Sequence, residues 1–226
     1  GDRSPGSIDA LLAAHDFPLA EGRQVTFVFR GHARRVFLQH WIQALPQQQP
    51  FVHVPGTDLW YLAMDLPENS RIEYKLGLDM GMGLPQLVRD PLNDHLARDP
   101  FGANSVVHTA GYVTPEWTQH DPEARPGALE RHHVPSAAFG GDREIQVYLP
   151  ARYRPRRRYP LLVVHDGDDF LQFAELQTVL DNLIHRLEIQ PMVCALTTSP
   201  DRLVEYANDE RHATWLADEL VPWLEG

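Results

Sequence analysis

The chain has a single cysteine, Cys194, among its 226 residues, so no disulfide forms within it. A disulfide framework and cysteine-rich metal sites are excluded together. Cys194 lies in the apolar run Met192-Val193-Cys194-Ala195-Leu196, a setting for a core residue rather than a nucleophile. Lysine is almost missing too: Lys75 is the only one, and arginine supplies the rest of the 20 basic residues. That reads as compositional bias rather than function. The basic residues are outnumbered by 31 acidic ones, for a net charge of −11. Such a balance argues against nucleic acid as the main partner, because phosphate binding needs a basic face. No apolar run approaches the ~20 residues that span a bilayer as a helix, so no membrane partner is expected. The opening, GDRSPGSIDALLAAHDF, has neither the basic region nor the cleavage site of a secretory signal. A cytoplasmic location is the expectation, although a start at Gly1 rather than Met leaves room for processing.

What is present is organised around Arg158–Leu187. Leu161, Leu162, Val163 and Val164 form a short unbroken apolar run, which suits a strand buried on both faces. His165-Asp166-Gly167-Asp168 follows as a turn. Then Phe173, Leu176, Leu180, Leu183, Ile184 and Leu187 fall on one helical stripe. With Met192–Leu196 as the next strand, the segment reads as a βαβ unit. Chemistry in open parallel sheets gathers at the carboxyl ends of strands, here His165–Asp169 and Thr197–Tyr206.

Before this segment the pattern is different. Ser7–Ala14 predicts a short helix with Ser7 as N-cap. Val25–Arg30, Arg35–His40, Leu59–Leu66, Arg71–Leu78 and Ser105–His108 predict strands, with Gly, Pro, Asn and Asp between them. That spacing indicates an all-β sandwich of roughly 90 residues. Tyr112–Ala128, rich in Pro, Glu and Gly, reads as a linker. Leu129–Val134 and Glu144–Leu149 are further strands, and Ala213–Leu224 is a closing helix with Pro222 as an expected kink or stop. Arg152–Arg158 carries five arginines between strands, either as a solvated loop or as an anion contact.

Two resemblances follow from these residues. VTFVFRGHARRVFL, GTDLWYLAMDLPENSRIEYKL, RDPLNDH and NSVV resemble an early-set immunoglobulin-like domain of the kind that precedes the catalytic domains of glycogen-branching enzymes and enterochelin esterases. REIQVYLP, YPLLVVHDGDDF, PMVCALTT, DRLVEY and ELVPWLE resemble the hydrolase domain of the enterochelin esterase and esterase D superfamily. Together they imply a two-domain fold: an N-terminal all-β immunoglobulin-like sandwich followed by an incomplete α/β three-layer hydrolase-type domain. The expected boundaries are 1–112 for the sandwich, 113–128 for a linker and 129–226 for the N-terminal part of the esterase domain.

The resemblance implies a serine nucleophile on a G-x-S-x-G elbow, with an acid and a histidine further along the chain. None of Ser4, Ser7, Ser70, Ser105, Ser136 and Ser199 has the flanking glycines of that elbow. The nucleophile, acid and histidine are therefore expected to lie beyond this chain, which alone would be inactive. By resemblance, the backbone N–H of Asp168 is one donor of the oxyanion hole. Arg202 and Glu205 resemble a substrate-binding Arg-x-x-Glu loop, with an ion pair between them as the alternative. Trp41 is a candidate platform for stacking on a sugar, and Trp60 a second. His165 reads as structural. No metal or cofactor is expected: His132 and His133 alternate across a strand, and Gly81-Met82-Gly83 lacks the continuation of a phosphate loop. The implied substrate is a small ester, on a siderophore or a glycan. The alternative is a non-catalytic glycan- or protein-binding module. An open sheet edge predicts association with the chain's own C-terminal half or with a second copy.

Overall fold

In the computed structural model, which describes residues 3–226, the chain forms two units, Gly1–Thr114 and Pro115–Gly226. The first opens with α1 (Pro5–Ala14), whose N-cap is Ser4 rather than Ser7. The Ser4 hydroxyl accepts from the Ser7 N–H, and Pro5 takes the first helical position, where a missing N–H breaks no bond.

Ten strands follow: β1 (Leu19–Glu21), β2 (Gln24–Arg30), β3 (Arg35–His40), β4 (Gln48–Pro50), β5 (Val52–His53), β6 (Leu59–Asp65), β7 (Arg71–Asp79), β8 (Gln86–Val88), β9 (Leu96–Asp99) and β10 (Gly102–His108). One sheet has the order β1-β2-β6-β5; the other has β4-β3-β7-β10-β9, with β8 also on β7. Val25, Phe27 and Phe29 of β2 and Trp60 of β6 share one core with Val36, Leu38, Tyr74, Leu76 and Val107 of the other sheet. Two sheets facing each other across a common core make a sandwich. Each such side chain contributes about 1.5–3 kcal/mol by leaving water. The five long strands are those that alternation predicts. The short ones escape prediction because two to four residues show no period. Gly77 is needed where it stands, because a Cβ there would meet the Phe37 ring at 2.1 Å.

Asp90-Pro91-Leu92-Asn93, a turn by sequence, is also a buried polar knot. The Tyr74 hydroxyl donates to Asp90 at 2.6 Å, the Asp90 N–H donates to the Ser105 hydroxyl, and the Asn93 amide donates to the Val106 carbonyl. Burial pushes both the Tyr74 phenol and the Asp90 carboxyl above their ordinary values.

The second unit contains β11 (Ala128–Ser136), β12 (Gly141–Leu149), β13 (Leu161–His165), α2 (Gly167–Phe173), α3 (Leu176–His185), β14 (Val193–Thr197), α4 (Arg202–Glu205), α5 (Glu210–Thr214), a π-helical segment (Trp215–Leu220) and α6 (Val221–Glu225). Its sheet runs β11-β12-β14-β13, with only β13 and β14 parallel. Ile145 and Val147 pack with Trp215 and Leu220 on one face. Tyr148, Cys194 and Leu196 pack with Leu180 of α3 on the other. Helices thus cover both faces of the sheet, giving three layers.

Four expectations change. Residues 113–128 are not a free linker: Glu116–Thr118 forms a 3-10 turn pinned to α3, where Asn182 donates to the carbonyls of Trp117 and Gln119. The stripe from Phe173 to Leu187 is not one helix. Glu175 takes a left-handed conformation (φ 48°) and separates α2 from α3, and Leu187 lies past the end of α3 in solvent. β13 is not buried on both sides. It is the margin of the sheet, so Leu162, Val163 and Val164 are only half-buried and Leu161 is exposed. The closing helix does not stop at Pro222 but runs on to Glu225. Pro222 has no N–H to give to the carbonyl four residues back, and the preceding turn widens so that the Val221 N–H bonds to the Leu216 carbonyl.

Candidate active site

β13 and β14 run parallel and end side by side at His165 and Thr197. The chain leaves β13 through Asp166, held in a left-handed conformation (φ 54°), and enters α2 at Gly167. Only glycine fits there: a Cβ would come within 2.4 Å of the Leu196 side chain and 2.9 Å of its backbone. The first intrahelical bond is from the Phe170 N–H to the Asp166 carbonyl. The N–H groups of Gly167, Asp168 and Asp169 therefore have no helical acceptor. The Asp168 carboxylate is held to one side, accepting from the Gln146 amide at 2.6 Å and from the Thr198 hydroxyl at 3.2 Å. Beside it lies a cleft of about 320 Å3, whose lining includes Asp142, Arg143, Glu144, Gln146, Asp168 and Thr198.

The opposite face of the sheet carries a polar cluster. Arg143 makes two bonds to Glu205, at 2.9 and 2.6 Å, and both side chains are largely buried. The guanidinium also lies 4.2 Å from the centre of the Phe139 ring. Burial alone would raise the Glu205 carboxyl. Hydrogen bonds from Arg143 and Ser199 outweigh it and hold the group below its ordinary value. His165 bonds to the Thr197 hydroxyl at 3.1 Å, and its ring lies 5.0 Å from that of His212. His212 is buried, and burial together with the nearby His165 pushes its imidazole below the ordinary value.

The sequence-selected residues fall as follows. Asp168 sits at the start of α2, so its N–H faces the strand ends. Arg202 and Glu205 do not pair with each other: Arg202 bonds to Asp166 at 2.8 Å, and Glu205 bonds to Arg143. Glu205 is thereby committed inside the protein and does not face a ligand as a free carboxylate. Arg202 remains about half exposed. In the first unit Trp41 is 51% exposed, whereas Trp60 is buried and donates to the Gly31 carbonyl. Ser199 accepts from the Asp201 N–H and serves Glu205. Cys194 is fully buried, its thiol pushed up to about 12 by burial. Sequence reasoning missed Arg143 and His212. Arg143 meets Glu205 across 62 residues, a separation that no local pattern reports.

Comparison with known proteins places this geometry. A family model described as a putative esterase matches residues 136–226. The ferric enterobactin esterase of Salmonella typhimurium superposes with a TM-score of 0.68 at 20% identity, over 89% of this chain and 60% of that one. The enterochelin esterase of Shigella flexneri gives 0.65 at 20% identity, over 100% and 65%. The enterobactin esterase of Shigella flexneri, solved in the presence of 2,3-di-hydroxy-N-benzoyl-serine, gives 0.67 at 20% identity, over 96% and 64%. The chain thus has the fold of enterobactin esterases and spans a little over three fifths of their length. No curated protein sequence matches it.

Proposed function

We propose that these residues are the N-terminal part of a serine carboxylic-ester hydrolase resembling the enterochelin esterases, working through an acyl-serine on a serine outside residues 1–226. The observation that carries this reading is the esterase-family match over residues 136–226, which takes in the β13–α2 turn and the cleft beside it. In the reaction, the serine oxygen attacks the ester carbonyl and a histidine takes its proton. The tetrahedral oxyanion receives the Asp168 N–H and a second N–H from the residue after the serine. The alcohol leaves with the histidine's proton, and water then releases the acid. Arg202, at the rim, is the residue of the loop still open to the substrate. The sandwich is read as an early-set immunoglobulin-like domain, with Trp41 as its exposed aromatic face.

The margin at β13 supports the expected partner, either the rest of the polypeptide or a second copy. The Val193 N–H bonds to the Pro160 carbonyl, so in a parallel ladder Leu162 and Val164 point their backbone groups toward β14. Leu161, Val163 and His165 then present theirs outward, as a template for another strand. Amide exchange tests this: the 161, 163 and 165 amides should exchange far faster than those of 162 and 164 in the isolated chain, and should become protected once the partner binds.

The function is tested by intact-mass spectrometry of the protein from its natural source, before and after a fluorophosphonate probe. The expected result is a species heavier than the 25.7 kDa chain that gains one adduct. A single unlabelled species at the chain's own mass overturns the proposal.

A further inference from the structure

We propose that the loop Arg152–Arg158 docks an acidic segment of a partner protein. Five of its seven residues are arginines, Arg152, Arg154, Arg156, Arg157 and Arg158, and all five are exposed. Carboxylates are abundant in this chain, with 31 acidic residues against 20 basic ones. Elsewhere in the second unit Arg131, Arg143, Arg186, Arg202 and Arg211 each pair with one. Among the described residues, no loop arginine does. Five like charges this close repel one another, and no carboxylate of the fold offsets that cost. Blocks of like charge ordinarily stay disordered, yet this loop is held in shape. The Tyr153 N–H donates to the Pro150 carbonyl and the Arg157 N–H to the Arg154 carbonyl, so two turns follow one another. Pro155 takes the second position of the later turn, where its fixed φ fits. Tyr153 and Tyr159 stack with ring centres 5.2 Å apart, and the Arg154 N–H donates to the Tyr159 hydroxyl at 3.0 Å. The Arg157 guanidinium lies 5.2 Å from the centre of the Tyr159 ring. Arg152 keeps a left-handed conformation (φ 62°), which glycine or asparagine adopts at less cost.

The partner's chemistry follows from the charges. Guanidinium forks bond to carboxylates through two parallel N–H groups, and an ordered loop gives up less entropy in doing so. Without the loop, the remainder of the chain is more acidic than the −11 of the whole. A nucleic-acid duplex or an anionic bilayer is broad and sets its charge against that remainder, whereas a narrow acidic segment meets the loop alone. The loop joins the end of β12 to the start of β13. The cleft beside Asp168 is built on the start of β12 and the segment after β14, at the other end of the sheet. Docking therefore leaves the cleft open, and it stands apart from the reading of that cleft as an ester site.

The test is a chemical-shift titration of the full 15N-labelled chain with a hexaglutamate peptide at about 0.15 M salt. The peptide should shift the backbone amides of residues 152–159 and bind with a Kd below about 1 mM. The triple variant Arg154→Gln, Arg156→Gln, Arg158→Gln keeps Arg157, both tyrosines and both turns. It should bind at least about tenfold more weakly, the combined effect of three exposed pairs that are each small. The variant Arg154→Lys, Arg156→Lys, Arg158→Lys keeps the charge and should bind within about fivefold of the wild type, which separates lost charge from a loop that has lost its shape. No shift at residues 152–159, or equal binding by the glutamine variant, overturns the proposal. A lysine variant as weak as the glutamine one overturns it as well. So does tighter loop-dependent binding to phosphatidylserine vesicles or to a short DNA duplex, which would make the partner a membrane or a nucleic acid.

Discussion

The two units bury polar groups in different ways. In the sandwich, the knot around Tyr74 and Asp90 joins neighbouring strands through one short turn, and these bonds span 16, 15 and 13 residues. In the second unit the buried pairs reach much further. Arg143 finds Glu205 across 62 residues, and Asp181 receives both the Tyr148 hydroxyl and the Gly127 N–H, the latter across 54. The sandwich margins are short strands of two to four residues, while the second sheet ends in a five-residue apolar margin at β13. The difference teaches that a unit can have a complete core and still keep an apolar margin: the sandwich sheets end in short strands, whereas the second sheet ends in β13, whose outer backbone groups face no strand among the described residues.

The contrast breaks most easily at Arg143. Arg143→Ala leaves Glu205 buried without its partner and should remove about 3–5 kcal/mol from the second unit. A urea titration read on the amide resonances of each unit should show the sandwich unmoved; a shared loss would erase the distinction. Asp90→Ala is the counterpart in the sandwich. It strands the Tyr74 hydroxyl and should remove about 1–3 kcal/mol from that unit alone.

A smaller effect is expected from pH. The folded His212 imidazole lies below its ordinary value, so both folded and unfolded chains are neutral there above about pH 6.5. As the pH falls below that point, the unfolded chain takes a proton that folded His212, between His165 and Arg143, resists. Glu205 and Asp209 pull the other way and are outweighed. The second unit should therefore lose stability on acidification, by at most about 1.4 kcal/mol per pH unit from this group. His212→Gln should flatten that slope, and an unchanged slope would remove His212 from the account. The smallest change is Arg23→Ala. Its ion pair with Asp65 is exposed on both sides, and the sandwich should lose less than about 1 kcal/mol.

Legibility follows range. Val25, Phe27 and Phe29 announce β2 because alternation is written in adjacent residues, and Leu161–Val164 announces β13 by its apolar run. Neither says which strand will be a margin, because that depends on pairing far along the chain. The split at Glu175 was hidden because Phe173 and Leu176 keep helical spacing across it. The candidate site was legible at Asp166-Gly167-Asp168, where glycine is forced by the approach of Leu196. It was illegible at Arg143, which meets His212 and Trp215 only when the sheet is assembled. Arg202 and Glu205 show the same limit: their spacing suggested a shared task, and the fold gave each a different partner.

Cys194 offers a use that its chemistry does not suggest. It is the sole thiol, it lies on a central strand of the second unit, and it is sealed from solvent. A thiol reagent can reach it only when that unit opens. Its labelling rate is therefore a built-in gauge of how often the hydrolase-type sheet breathes, read without any introduced probe and without interference from the sandwich. A substance that slows the reaction has, by that fact alone, found and steadied the open half of the molecule.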